Sequence, residues 1–205
     1  MKCIKVVANK LKLLVLIVIL TACGKQKLSP EYYVAWVENK KNGLSISKEF
    51  NDVNFQILYK PANYIVAKEF LNGGIKKEEV QKRLKELGDM QYFTLRIKSN
   101  KSNELLSADI ANENEYYQRL EYFMGPMQDD IKLIDGVDTI PCAIHHFERS
   151  YGIAPYNNFI IAFTQTKNKE NDKTFVFEDK ILGTGTVMFK VKSEDINNIP
   201  NIVWN

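Results

Sequence analysis

Apolar residues recur along the chain with two different periods, and together these periods predict a fold that mixes α and β structure. Alternating apolar and polar residues at 53–59 and 92–98 predict two strands, each with one face toward a core. Apolar residues spaced three and four apart predict helices instead. The predicted helices cover residues 30–38, 76–90 and 112–124, whereas residues 63–70 fit either a helix or a strand, with the helix favoured.

The first of these helices has a clear start and one apolar side. Ser29 and Pro30 are typical of a helix N-terminus, as an N-cap residue followed by proline in the first turn. Tyr33, Trp36 and Val37 share one side of the helix. That side either packs on the domain or lies at a membrane interface, where Trp and Tyr are favoured.

The last third of the chain is predicted to be mostly β. Asp135 and Gly136 signal a turn, and the polar loop at 167–173 predicts a hairpin between its flanking strands. Candidate strands lie at residues 131–134, 139–148, 159–166, 174–177, 184–192 and 199–204. The prediction is one α+β domain over residues 29–205, with a sandwich-like antiparallel sheet of roughly six to eight strands and three or four helices.

The amino terminus has the organisation of a secretory signal. Residues 1–12 contain four lysines and no acid, and residues 13–20 are all apolar. Small residues then precede Cys23, as expected before a cleavage point. The alternative is a single spanning helix in which Cys23 is an ordinary thiol, although polar residues would then have to enter the membrane.

Leu20-Thr21-Ala22-Cys23 resembles the lipobox of bacterial lipoproteins. The resemblance implies that residues 1–22 are removed, that Cys23 receives a diacylglyceryl group, and that residues 23–28 form a short tether. Composition and lipobox together are similar to lipoproteins of the Bacteroidetes. The residues after Cys23 lack the acidic signals for inner-membrane retention and surface export, which implies an outer-membrane lipoprotein that faces the periplasm. No family is recognised for the globular part.

Charge and cysteine content narrow the range of functions. Without the four lysines of the signal, the mature chain has 24 basic and 25 acidic side chains. This balance argues against nucleic-acid binding, which needs a concentrated basic surface. Cys3 leaves with the signal and Cys23 carries lipid, so Cys142 remains alone and no internal disulfide is expected.

Both histidines lie in one predicted strand, next to Cys142. Alternation places Cys142, Ile144, His146 and Glu148 on one face of that strand. His146 and Glu148 could supply two metal ligands, but a site needs three or four and no neighbour in sequence supplies the rest. A Cys142–His146 nucleophile pair would be separated by about 13 Å of strand. The alternative is a strand whose apolar residues face inward while His146 and Glu148 reach solvent.

Tyr151, Tyr156, Asn157 and Asn158 form the second candidate site, on a predicted loop. Tyrosine and asparagine combine stacking with hydrogen bonding, as at a contact with a sugar or a protein. The alternative is an ordered turn whose tyrosines lie against the sheet.

The sequence contains no complete catalytic or phosphate-binding motif. Gly183-Thr184-Gly185-Thr186 lacks the Gly-Lys-Ser/Thr of a phosphate loop and is predicted to open a strand. We therefore expect a membrane-anchored, non-catalytic binding or assembly module that needs no cofactor and docks on an envelope protein or a ligand. The alternatives are an envelope hydrolase, or a sugar- or peptide-binding lipoprotein with an aromatic groove around Tyr151 and Tyr156.

Overall fold

The computed structural model describes residues 25–102, 104–151, 153–166 and 171–204, so the predicted signal and Cys23 lie outside the described residues. Within these ranges the chain forms eleven strands and five helices. The strands are β1 (Lys27–Leu28), β2 (Ser45–Phe50), β3 (Val53–Lys60), β4 (Met90–Ser99), β5 (Ile131–Asp135), β6 (Asp138–Pro141), β7 (Ile144–Glu148), β8 (Asn157–Thr164), β9 (Lys173–Glu178), β10 (Thr186–Val191) and β11 (Asn201–Ile202). The helices are α1 (Pro30–Glu38), α2 (Ala62–Leu71), α3 (Val80–Glu86), α4 (Glu113–Met124) and α5 (Ser193–Asn197).

Two antiparallel sheets form a sandwich, which confirms the predicted α+β class. One sheet has the strand order β2-β3-β4-β8-β7 and the other has the order β10-β9-β5-β6. A short parallel pair, β1 with β11, joins the two ends of the described chain. No helix among residues 25–204 as described has the length and apolar character needed to cross a bilayer.

Aromatic side chains fill the space between the two sheets. Phe93 of the five-stranded sheet packs on Phe175 of the other, with ring centroids 5.6 Å apart. Phe55 and Phe177 make a second contact across the sandwich at 6.3 Å. The predicted alternation in β3 and β4 is confirmed, because their odd-numbered residues Phe55, Ile57, Phe93, Leu95 and Ile97 are fully buried. The even-numbered residues of both strands consequently lie on the outer face.

The helices cover only part of that outer face. Tyr33 and Val37 of α1 join the main core, so the predicted packing side of this helix is confirmed. Val66 of α2 forms a second, smaller core with Val80 and Leu87, and Tyr92 from the outer face of β4 packs against it. The helices therefore cover the Tyr92 end of the five-stranded sheet and leave the other end open.

Two predicted helices differ in detail from the structure. The helix predicted at 76–90 contains a 3-10 turn, Lys77–Glu79, followed by α3, and it ends at Glu86 because β4 already begins at Met90. The helix predicted at 112–124 is α4, but its last residue, Met124, is 68% exposed. Arg119 and Tyr122 are buried in α4 instead. Ser29 occupies the N-cap position of α1 as predicted, but its hydroxyl donates to Oε2 of Glu31 rather than accepting from the helix backbone.

The strand predicted at 139–148 is wrong as a single element. The chain leaves the four-stranded sheet after β6, which pairs with β5, and enters the five-stranded sheet at β7, which pairs with β8. Cys142 and Ala143 form the crossing between the sheets. The break changes the phase of alternation, so Cys142 is buried whereas Ile144 is exposed.

The predicted hairpin across residues 167–173 is also wrong, because β8 and β9 belong to different sheets. Lys173, assigned to the polar loop, is the first residue of β9 and only 2% exposed. Its Nζ donates to Oδ2 of Asp135 at 2.8 Å, and that oxygen also accepts from Gln91 and Thr166. Burial alone would raise the pKa of Asp135, but these three donors together hold it below its ordinary value.

Candidate functional site

The outer face of the five-stranded sheet carries a polar groove of about 520 Å³ beside α1 and α2, referred to below as the sheet-face groove. Its floor comes from β2, β3, β4, β8 and the end of β7, and one wall comes from α1 and α2. The lining residues are Glu38, Ser45, Gln56, Leu58, Lys60, Tyr64, Lys68, Thr94, Arg96, Glu148 and Asn158.

Strand register explains which side chains meet in the groove. Pairing places Gln56, Arg96, Asn158 and Glu148 side by side across four strands. A second row, two residues along each strand, pairs Leu58 with Thr94. Because side chains of directly opposed residues lie on the same face, both rows point into the groove.

Arg96 is held in a fixed position at the centre of the first row. Its Nε donates to Oδ1 of Asn158 at 3.0 Å, and Nδ2 of Asn158 donates to Oε2 of Glu148 at 3.2 Å. The guanidinium carbon lies 3.9 Å from the centre of the Tyr156 ring, which supports one face of the group by a cation–π contact. Arg96 lines the groove, and its two terminal nitrogens donate no hydrogen bond within the described residues.

The helical wall contains a second set of interacting groups. The hydroxyl of Tyr64 donates to Oε1 of Glu38 at 2.5 Å, and Nζ of Lys68 lies 3.4 Å from the same oxygen. Burial, reinforced by Glu38, raises the pKa of Tyr64, so its hydroxyl keeps its proton and acts as the donor. Glu38 is therefore already engaged by groups of the protein.

Lys60 has a different environment from the other charged groups of the groove. Among the described residues it makes no ion pair, although it is half-buried at the end of β3. Burial lowers its pKa, Lys68 and Arg96 lower it further, and Glu148 and Glu38 oppose this shift. The hydroxyl oxygen of Thr94, on the neighbouring strand, is buried and has no hydrogen-bond partner within the described ranges.

The structure brings together part of the predicted loop site and separates the rest. Tyr156 and Asn158 both contact Arg96 at the groove. Asn157 points to the opposite face, where it is buried and accepts from the backbone N–H of Ser150, because successive residues of β8 alternate. Tyr151 is 71% exposed and lies outside the groove lining, with the Arg149 guanidinium 4.6 Å from its ring centre.

The side chains of β7, which carries both histidines, are likewise divided between the two faces of the sheet. Glu148 lines the groove, and His146 lies two residues away on the same outer face without lining it. His145 turns inward against Phe159, where burial and the neighbouring His146 lower its pKa. Within the described ranges, no group of three or more His, Cys, Asp or Glu side chains is placed to hold a metal ion.

Cys142 is separated from His146 by its burial. Its Sγ donates to the carbonyl oxygen of Ile144 at 3.1 Å. Burial raises the pKa of the Cys142 thiol to about 11, so it is not a thiolate near neutral pH. The prediction that Cys142, His146 and Glu148 share one face is therefore wrong for Cys142, whereas His146 and Glu148 do lie on the same face.

Sequence reasoning missed Lys60, Thr94 and Arg96, which are central to the groove. A signal existed, because alternation along β4 puts Thr94 and Arg96 opposite the buried Phe93 and Leu95. Periodicity identifies that outer face but not which strands lie beside it. The pairing of β4 with both β3 and β8 decides that these residues meet Lys60 and Asn158.

Comparison with known proteins gives no functional identification. No family model matches the chain, and no curated protein matches it, in agreement with the absence of a recognised family for the globular part. Among solved structures, a DUF4426 family protein from Pseudomonas aeruginosa PAO1 is similar over 72% of this chain and 90% of its own, with 10% identity and a TM-score of 0.34.

Proposed function

We propose that the protein is a lipid-anchored binding module of the cell envelope, which holds a small polar ligand in the sheet-face groove. The observation that carries this proposal is the fixed position of Arg96, which is stacked on Tyr156 and bonded to Asn158 while its terminal nitrogens have no hydrogen-bond partner among the described residues. Donors that are held in place before binding lose little conformational entropy when a ligand arrives. The arrangement therefore favours binding.

The proposed location is the periplasmic face of the outer membrane, with Cys23 as the anchor. The support comes from the lipobox resemblance and from the position where the chain joins the fold. The N–H of Asn201 donates to the carbonyl of Gln26 at 2.8 Å, and β1 follows immediately. Three residue steps separate Cys23 from Gln26, a reach of about 10 Å when extended. The domain would thus lie directly on the membrane surface.

Native mass spectrometry of the full-length protein, extracted from its own membranes in detergent, tests the binding function. We expect a non-covalently bound mass that disappears on denaturation. Thr94→Trp fills the floor of the groove and should abolish this mass. Asn54→Trp is the matched control, because Asn54 lies on the same outer face, opposite Lys98, and outside the groove lining.

Two results would contradict the proposed binding function. One is a wild-type protein that carries no bound mass at any detergent concentration. The other is a bound mass that Thr94→Trp retains as fully as Asn54→Trp, since the bound compound would then occupy another place. Unfolding temperatures of both variants show whether the added ring has disturbed the sheet.

An assembly function remains a second candidate because of the loop beside α4. Tyr151 and Ile153 are 71% and 91% exposed, and Arg149 connects Tyr151 to Tyr116 of α4 through ring contacts. Exposed aromatic and aliphatic side chains of this kind are typical of protein contacts. In-cell crosslinking should then yield one recurrent envelope protein that is lost in Tyr151→Ser and kept in Thr94→Trp.

A further inference from the structure

The charges of the sheet-face groove do not balance. Three cationic side chains line it, Lys60, Lys68 and Arg96, against the two carboxylates of Glu38 and Glu148. Both carboxylates already accept hydrogen bonds, Glu38 from Tyr64 and Lys68, and Glu148 from Asn158. One positive charge is thus left without a partner among the described residues.

The unbalanced charge is concentrated at Lys60 and Arg96. Neither residue forms an ion pair within the described chain. Both line the same groove, where the Arg96 charge lowers the pKa of Lys60 and the larger effect of the Glu148 carboxylate opposes it. A half-buried cation without a partner costs free energy, which an incoming anion would recover.

The space between Lys60 and Arg96 has a size and a floor that suit a small anion. In the strand register, Leu58 and Thr94 form the row between the row of Arg96 and the row of Lys60. Each row is separated from the next by two residues, or about 7 Å of strand. Long Lys and Arg side chains can reach inward over that distance, and the unpartnered hydroxyl of Thr94 lies between them.

We infer that the groove binds its ligand through a single carboxylate, which lies over Thr94 and accepts hydrogen bonds from Arg96 and Lys60. The inference rests on the proposed binding function and specifies its ligand class as small monoanionic acids. A guanidinium fork matches the two oxygens of a carboxylate. One carboxylate also neutralises the surplus charge, whereas a phosphate dianion would exceed it.

An NMR titration with the smallest carboxylate tests this inference without knowledge of the natural ligand. Full-length 15N-labelled protein in detergent micelles is titrated at constant ionic strength with acetate, with acetamide as the neutral isostere, and with inorganic phosphate at alkaline pH. We expect saturable shifts of the Arg96 Nε–H and of the Lys60 and Asn158 amides with acetate. Acetamide should produce no such shifts, and phosphate should bind more weakly than acetate.

Variants assign the effect to the two cations. Lys60→Gln and Arg96→Gln should each weaken acetate binding by about tenfold, because each removes a charge-assisted hydrogen bond. Arg96→Lys keeps the charge but loses the fork, so it should bind acetate with intermediate affinity. Lys192→Gln, an exposed lysine after the edge strand of the other sheet, should change nothing.

Three results would overturn the carboxylate inference: equal shifts with acetate and acetamide, tighter binding of phosphate, or unchanged acetate affinity in both glutamine variants. The binding function itself is tested separately by the co-purified mass. A neutral bound compound that Thr94→Trp displaces would leave the proposed function in place while the carboxylate inference fails. A wild-type protein that carries no bound mass and shows no acetate shifts would contradict both the proposed binding function and the carboxylate inference.

Discussion

Two lysines show how the same side chain is stabilised differently when it leaves water. Lys173 is 2% exposed and bonded to Asp135, which also accepts from Gln91 and Thr166. Lys60 is half-buried and faces the groove, where the described residues offer it no ion-pair partner. A buried pair is costly to break because the remaining charge stays desolvated. Lys173 therefore stabilises the fold, whereas Lys60 is available to bind a ligand in the groove.

Lys173→Met should lower the free energy of unfolding by about 3–5 kcal/mol at neutral pH, because it leaves the Asp135 carboxylate buried without its cation. The folded-state pKa of Asp135 is below its ordinary value. Its contribution to stability is therefore complete above the unfolded-state pKa and is lost as the pH falls through the folded-state pKa. Urea unfolding across the acid range should show the difference between variant and wild type narrowing as the pH falls.

Lys192→Met is the control for this measurement, since Lys192 is exposed, precedes α5 as its N-cap residue, and makes no ion pair among the described residues. Its free energy of unfolding should differ from that of the wild type by less than about 0.5 kcal/mol at any pH. A Lys173→Met protein as stable as this control would show that the Asp135 carboxylate is satisfied by Gln91 and Thr166 alone.

Acetate binding should also depend on the protonation of Lys60. Burial, helped by Lys68 and Arg96, lowers the pKa of Lys60 despite the opposing carboxylates of Glu148 and Glu38, so Lys60 loses its charge at a lower pH than an ordinary lysine. Acetate affinity in the NMR titration should consequently decline before the pH reaches the ordinary lysine range. Lys60→Arg should keep its affinity through that range because a guanidinium stays protonated. An identical decline in wild type and Lys60→Arg would assign the pH dependence to another group.

Sequence reasoning at the residue scale found side chains that carry an obvious chemistry and missed those that are defined by their neighbours. Tyr156, Asn158 and Glu148 were singled out and do meet at the groove. Arg96 and Lys60 look like ordinary outward residues of amphipathic strands. Their importance comes from strand order, which no local pattern encodes.

At the scale of elements, period and boundary residues predicted most segments, whereas the partner of each strand could not be predicted. The alternation in β3 and β4 and the turn at Gly136, whose φ is 67°, agree with the structure. The continuous strand predicted at 139–148 fails because apolar residues continue through the crossing from β6 to β7. Periodicity indicates that a residue is buried, but it does not indicate in which sheet its strand lies, because both sheets bury their residues in the same core.

Arg119 connects α4 to the segment that precedes it. Its Nη1 donates to the carbonyl oxygens of Leu105 and Ala108, both at 2.7 Å. Arg119→Gln should lower the free energy of unfolding by about 1.5–3 kcal/mol, because buried carbonyls lose a charged donor. Limited proteolysis should show faster cleavage around residues 105–109, since this bond fixes that segment to the helix.

The matched control is Gln118→Ala, an exposed position on the same helix. It should leave both the unfolding midpoint and the cleavage pattern unchanged. Increased cleavage in Gln118→Ala would trace the effect to the helix as a whole. Resistance of Arg119→Gln to the protease would instead mean that Leu105 and Leu106, both buried in the core, hold the segment without the arginine.

At the scale of the whole molecule, the groove is close to the start of the described chain. The tether joins the fold at β1, directly before α1, and α1 contributes Glu38 to the groove at its other end. A nine-residue helix is about 14 Å long, so the groove lies roughly one helix length from the start of the fold. A lipid-anchored molecule would therefore present the groove near the membrane surface.

The anchor and the groove should be separable functions, which a change of the export signal can establish. Replacing residues 1–23 with a secretory signal that is cleaved without lipidation should move the protein from the detergent-soluble membrane fraction to the periplasmic fraction, because the acyl chains supply the attachment. Acetate should shift the Arg96 and Lys60 signals of this released form as it does in the anchored protein. Peptide mass analysis of the wild type should find Cys23 as the first residue and carrying lipid. A wild-type chain that begins at Met1, or a released form that stays in the membrane fraction, would show that the lipobox resemblance is misleading and that residues other than Cys23 hold the protein there.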